Sequence, residues 1–139
     1  MKISLKGKGF SALAGMAGAV IALVGLVAFC IYGAMYAQYA DVAVGIFLLL
    51  GAACSVCYAL IDVRITEILP VAATFCVSFA LGLFIVNSYN VWADWNGGAN
   101  FFGSEGGVTP VIILAVIDII AVLCNILSAF TGKKGGAQA

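Results

Sequence analysis

Polar positions break this chain into four long apolar stretches, roughly 10–33, 42–61, 68–88 and 109–130. Each is near the ~20 residues that cross ~30 Å of hydrocarbon. Each is also apolar on every face, a pattern that a soluble core cannot use but a bilayer can. The pattern therefore predicts an all-α fold, an integral membrane four-helix bundle forming a single four-span domain over 1–139. The connections 34–41 (AMYAQYAD) and 62–67 (DVRITE) are so short that the spans they join must run antiparallel. Thr66 is placed to cap span 3, with Pro70 in its first turn, and Thr109-Pro110 is the corresponding start signal for span 4. The segment 87–107 reads as the one long loop, and the tail 131–139 (TGKKGGAQA) as a disordered end, too polar and glycine-rich to fold.

Charge orients this bundle. Lys2, Lys6 and Lys8 precede span 1, Arg64 lies between spans 2 and 3, and Lys133 and Lys134 follow span 4, so all six basic residues belong to segments on one side. Basic residues near span ends stay in the cytoplasm, which predicts an N-in/C-in topology with the 62–67 connection also inside. Asp62 and Glu67 accompany them, Asp41, Asp94 and Glu105 fall on the other side, and Asp118 falls within a span, so the net charge of zero conceals a polarised layout. The Lys2–Lys8 opening resembles the charged start of a signal peptide. The apolar run after it exceeds the 7–15 residues of such a segment, so it reads as an uncleaved first span. The cationic residues form no stripe suited to nucleic acid. With no histidine, the commonest general base and metal ligand is missing. No phosphate-binding, dinucleotide-binding or zinc spacing occurs, so no cofactor, metal or enzymatic activity is expected.

Within the spans, small and polar residues recur on single helical faces. Span 1 repeats Ala14, Gly18 and Ala22, a face that allows close approach of another backbone. Span 2 aligns Gly51, Ser55, Tyr58 and Asp62, and span 3 aligns Thr74, Ser78 and Gly82. Asp118 lies near mid-bilayer, where an aspartate costs about 2.5–3.5 kcal/mol on insertion scales and marks a functional position. Asn125 and Ser128 share its stripe. By depth, Asp118 matches Ser78 and Gly51, and Asn125 matches Thr74, Ser55 and Tyr58, which predicts an intramembrane polar seam of these residues. Two uses of the seam are open: a protonated Asp118 that bonds across helices and fixes packing, or a carboxyl that carries a proton or binds a cation. Cys54 and Cys57 form a CxxC pair, but both lie inside span 2 with no cysteine in either outer connection, so the five cysteines read as small apolar residues.

The 87–107 segment concentrates Tyr89, Trp92, Trp95, Phe101 and Phe102 among asparagines, glycines and Asp94. Tyr36, Tyr39 and these aromatics suit the interface belt of a membrane protein. The same loop residues, Tyr89, Trp92, Asp94, Trp95, Phe101 and Phe102, also form an expected recognition surface, since flat aromatic faces beside amides and a carboxylate combine apolar contact with directed hydrogen bonds.

The basic opening KISLKGKGF, the four spans and the loop DWNGGANFFG resemble small uncharacterised four-span membrane proteins of bacteria. The resemblance lies in layout and implies no activity. Span 1 lacks the glutamate of small multidrug exporters, and the 87–107 segment lacks the loop cysteines of tetraspanins. The reading is a non-enzymatic accessory or scaffold protein of the cell (inner/plasma) membrane. Its expected partners are the lipid bilayer and another membrane or exported protein, or itself. The rival reading is a small oligomeric transporter or channel that uses Asp118.

Overall fold

The structure, a computed structural model, describes residues 9–36, 41–61, 63–103 and 107–131. Four long helices carry the fold: α1 (Phe10–Met35), α2 (Val42–Leu60), α3 (Leu69–Asn87) and α5 (Thr109–Thr131), with a short α4 (Tyr89–Gly97) between the last two and a 3₁₀ turn at Arg64–Ile68 before α3. Their ends fall within two residues of the spans read from the sequence. All four are long and apolar enough to cross a membrane. The described residues contain no strand. Lys2, Lys6, Lys8, Tyr39, Asp62, Glu105 and the tail from residue 132 lie outside the described residues.

The long helices form a ring in which α1 packs on α2, α2 on α3, α3 on α5, and α5 back on α1. Buried positions alternate steps of three and four, as in knobs-into-holes packing. On α1 they include Ser11, Gly15, Gly18, Ala22, Gly25 and Phe29, and on α5 Val111, Leu114, Asp118, Ala121, Asn125 and Ser128. The outward faces carry the bulk instead: Leu13, Val20, Val24 and Ile31 on α1, Ile119, Ile120, Leu123 and Leu127 on α5. Only 28% to 39% of each span is buried, so most of its apolar surface faces away from the bundle. This arrangement inverts a soluble bundle and fits hydrocarbon, where helices associate through close contact and hydrogen bonds rather than apolar burial.

The interior has two halves. Toward α4 it is apolar, with Phe29, Val44, Leu48, Phe84, Val111 and Leu114 buried and the Phe29 and Phe84 rings edge-on at 6.1 Å. Toward the chain ends it is polar and small-sided.

Two local expectations are corrected. The 87–107 segment is not a plain loop, because α4 occupies nearly half of it. Thr66 does not cap α3: it lies in the 3₁₀ turn and its hydroxyl donates back to the Val63 carbonyl at 2.6 Å. The residue before α3 is Ile68, which has no capping side chain, and Pro70 fits the first turn as expected. Tyr36 packs half-buried against the apolar core at the end of α1.

Candidate functional site

The polar half of the interior is built in layers. Nearest the chain ends, Ser11 Oγ donates to the Ser128 carbonyl at 2.7 Å, and Ser128 Oγ donates to the Ser11 carbonyl at 2.8 Å. With its only proton committed, Ser11 Oγ accepts the bond from the Tyr58 hydroxyl of α2. Gly15 lies one turn along α1, where a side-chain carbon would stand 3.1 Å from Ser128 Oγ.

In the next layer Asn125 reaches from α5 across the ring to α2. Its Oδ1 accepts from Ser55 Oγ at 2.8 Å, and the same hydroxyl lies 3.0 Å from the Gly51 carbonyl. Gly18 makes this crossing possible: a Cβ there would approach Asn125 Oδ1 to 2.6 Å. Asn125 is fully buried, and its Nδ2 has no hydrogen-bond partner.

Two turns farther along α5 lies Asp118, only 2% exposed. It packs on Gly25, where a Cβ would stand 2.7 Å from Asp118 Oδ1. That oxygen has no hydrogen-bond partner. The side-chain bond that ties α5 to α2 in this seam is made by Asn125, not by Asp118.

The structure thus gathers Asn125, Ser55 and Tyr58 at one end of the interior, sets Asp118 two turns away on the same stripe of α5, and leaves out Thr74 and Ser78. Ser78 is exposed on the outer face of α3, Gly82 has nothing within 4 Å of a Cβ position, and Thr74 Oγ1 donates to its own helix at the Pro70 carbonyl, 2.8 Å away. The buried stripe of α3 is Pro70, Ala73, Val77, Ala80 and Phe84, one position off the Thr74–Ser78–Gly82 face. Equal depth places residues at one level but does not say which way a face turns. Ser11 belongs to the seam and was missed as a polar partner. Its signal was present in the sequence, since it lies seven residues before Gly18 and so on the same helical face.

At the opposite end, α4 forms a cap. Ser88 closes α3 by donating to the Phe84 carbonyl at 2.7 Å, and Gly98 ends α4 at φ 65°, a conformation that favours glycine. Asp94 is buried, and its Oδ1 accepts the backbone N–H groups of Phe101 and Phe102, both at 2.8 Å. This folds the chain after the helix back against it. Asp41 caps α2 by accepting from the Ala43 N–H at 2.9 Å, and its other oxygen accepts from Asn87 Nδ2 at the end of α3. Of the expected recognition residues, Asp94 is structural and Trp92 is half-buried against the core. Tyr89, Trp95, Phe101 and Phe102 form the exposed rim, with Trp95 58% and Phe101 79% exposed. The rings pair edge-on, Tyr89 with Phe102 at 6.1 Å and Trp92 with Trp95 at 6.2 Å. Beside them a cleft of about 330 Å³ is lined by Val91, Asp94, Trp95, Asn100 and Val108 among others.

The cysteines are free thiols. Cys30 and Cys57 point outward and Cys54, Cys76 and Cys124 are half-buried. Among the described residues, no cluster of three or more histidine, cysteine or acidic side chains could hold a metal ion.

Four apolar spans, bulky outside and small or polar within, decide the class. The chain has the architecture of a multi-pass membrane protein. Comparison with protein-family models, with curated proteins and with solved structures gives no match. Chemically, the bundle offers one buried mid-span carboxyl above a hydrogen-bonded seam, and one aromatic cap.

Proposed function

We propose that the protein is a non-enzymatic accessory or scaffold subunit of the cell (inner/plasma) membrane, oriented N-in/C-in, that presents the α4 cap on the extracytoplasmic side to another membrane or exported protein. One observation carries this reading. The cap is a fixed platform, held by the Asp94 bonds to Phe101 and Phe102, and its rim leaves Trp95, Phe101, Phe102 and Tyr89 uncovered. Rigid aromatic side chains give large contact area at small entropic cost and dominate many protein interfaces. The four spans support it by serving as a mount: their glycine-rich seams are spent on holding one another.

The test replaces residues 89–107 by a flexible linker and compares crosslinked partners of the two proteins in native membranes. A photoreactive group at position 95 is expected to capture a second polypeptide, and the same group at lipid-facing position 119 is not. Loss of that partner from the capless protein, with insertion intact, supports the proposal. Recovery of the same partner without the cap overturns it.

A second reading, a small oligomeric transporter or channel, is favoured by a different observation: Asp118 is buried at mid-span with an unpaired oxygen. Such a carboxyl is costly unless it does something, and carrying a proton is the chemistry available to it.

A further inference from the structure

We propose that Asp118 exchanges its proton with one side of the membrane only, the side that holds the chain ends, through the polar seam of Asn125, Ser55, Tyr58, Ser11 and Ser128. This rests on the second reading above, that Asp118 holds and releases a proton, and adds the direction from which the proton comes.

The interior is asymmetric about Asp118. Toward α4 the buried side chains next to it are bulky and apolar, including Leu114, Leu48, Phe29 and Phe84. The polar groups beyond that plug are already engaged: Ser88 with the Phe84 carbonyl, Asp94 with the Phe101 and Phe102 amides. Toward the chain ends the next buried residues on α1, α2 and α5 are alanines, and α3 contributes Val77, which packs beside Gly51. Ala121 follows Asp118 on α5, Ala22 lies between Gly18 and Gly25 on α1, and Ala52 precedes Ser55 on α2. Below that layer begins the hydrogen-bonded seam. Asp118 and Asn125 are separated by two helical turns, about 10 Å at ~1.5 Å per residue. Asp118 Oδ1 and Asn125 Nδ2 are both buried without a partner, and Ala121 lies between the two residues on the buried stripe of α5. Buried water is held where two or more polar groups would otherwise lack partners, and a short water file between these atoms would satisfy both.

The transfer balances without any co-reactant. A proton from the aqueous phase passes along the seam as each hydroxyl of Tyr58, Ser11, Ser128 or Ser55 accepts one proton and gives up another. Water completes the step to the Asp118 carboxylate, which becomes the neutral acid, and release reverses the path. Asn125 cannot relay a proton at its amide. It is a positioning residue that holds the water.

No other charged group intrudes on this path among the described residues. The buried faces of α1, α2 and α3 carry no lysine, arginine or acid. The other titratable groups on the packed helices are Tyr58 in the seam, half-buried Cys54, Cys76 and Cys124, and Tyr32 on α1 against the apolar core, with Cys30 and Cys57 exposed on the outer faces. The carboxyl signal of the spans therefore belongs to Asp118.

The experiment places the full chain in sealed liposomes, with one orientation selected through a C-terminal tag. The infrared band of the protonated Asp118 carboxyl, identified by its loss in Asp118→Asn, is followed while pH is stepped on either side. The band is expected to follow a step on the side of the chain ends and to ignore a step on the α4 side. Response to the α4 side, or to both sides equally, overturns the one-sided path while leaving proton exchange intact. No titration from either side overturns both this proposal and the reading beneath it. Ala121→Leu, which fills the alanine layer, is expected to slow the response at least tenfold at an unchanged end-point. An unchanged rate in the folded variant overturns the path through that layer. The sidedness of the unmodified chain tests the proposal even if this variant does not fold.

Discussion

At Gly18 a side-chain carbon would come within 2.6 Å of Asn125 Oδ1, while at Gly82 it would meet nothing within 4 Å. Alanine adds the same methyl at both positions and gains the same helix propensity, up to ~1 kcal/mol over glycine. The difference between the two variants therefore isolates the contact. Gly18→Ala must push Asn125 off Ser55 or separate α1 from α5, and overpacking of this kind costs about 1–3 kcal/mol. Gly82→Ala should be neutral or mildly stabilising. Unfolding of the purified protein from mild-detergent micelles by a denaturing detergent measures both, and equal stability of the two variants would contradict the packing. In an Asn125→Ala background the penalty of Gly18→Ala should largely vanish, because residues in contact do not act additively. At this scale the sequence is partly legible. Asp118 and Asn125 stand out because they interrupt apolar runs, and Ser55 and Tyr58 because they share a face with Gly51. Ser78 misleads for a physical reason: spacing identifies a face, but only packing against neighbours turns that face inward, and α3 turns its alanine and valine stripe in instead.

Among the elements, α4 is the one that sequence pattern hides. Its asparagines are weak helix formers and its aromatics suit an interface belt, so the 87–107 segment reads as a loop. The signals for a helix are smaller. Val91 and Asp94 lie three apart and are both buried, and Gly97-Gly98 supplies the left-handed stop. What holds the element is Asp94, since one of its oxygens accepts two backbone N–H groups at 2.8 Å. Hydrogen bonds to a charged group contribute about 1.5–3 kcal/mol. Asp94→Ala is therefore expected to speed hydrogen exchange at the Phe101 and Phe102 amides by one to two orders of magnitude, about 1.4 kcal/mol per factor of ten. The amides of α5 should stay as protected as before, because the seam lies at the far end of the bundle. Asp94→Asn retains an acceptor at that oxygen and should have the smaller effect. Fast exchange spreading into α5 would mean that the cap and the bundle fold as one unit, and the platform would then not be separable from its mount.

For the whole molecule, the bundle's two ends differ in chemistry, so its orientation decides what each end meets. The long spans were legible because a bilayer demands length and apolarity over many consecutive residues, a signal that single substitutions cannot blur. Orientation rests on fewer residues: five lysines and one arginine, all in segments that precede span 1, join spans 2 and 3, or follow span 4. If the positive-inside bias governs, a cysteine introduced at Asn100, in a chain whose own five cysteines are replaced by alanine or serine, should react with a membrane-impermeant maleimide on intact cells. One introduced at Gln138 should react only after the membrane is permeabilised. Reversed labelling would put the chain ends outside. It would also move the cap into the cytoplasm, away from any exported partner, and open the polar seam to the exterior. Charge sets this orientation and packing sets the interior, so the two can be separated. Changing Lys2, Lys6 and Lys8 to glutamine while placing lysines at Asn96 and Asn100 should give a mixed population, with Asn100-side labelling reduced. Thermal stability in detergent should be unchanged, because none of these positions lies in the buried stripes of the spans. A stability loss alongside the mixed labelling would instead mean that the cap depends on its asparagines for its fold, and that the proposed platform needs those amides in place.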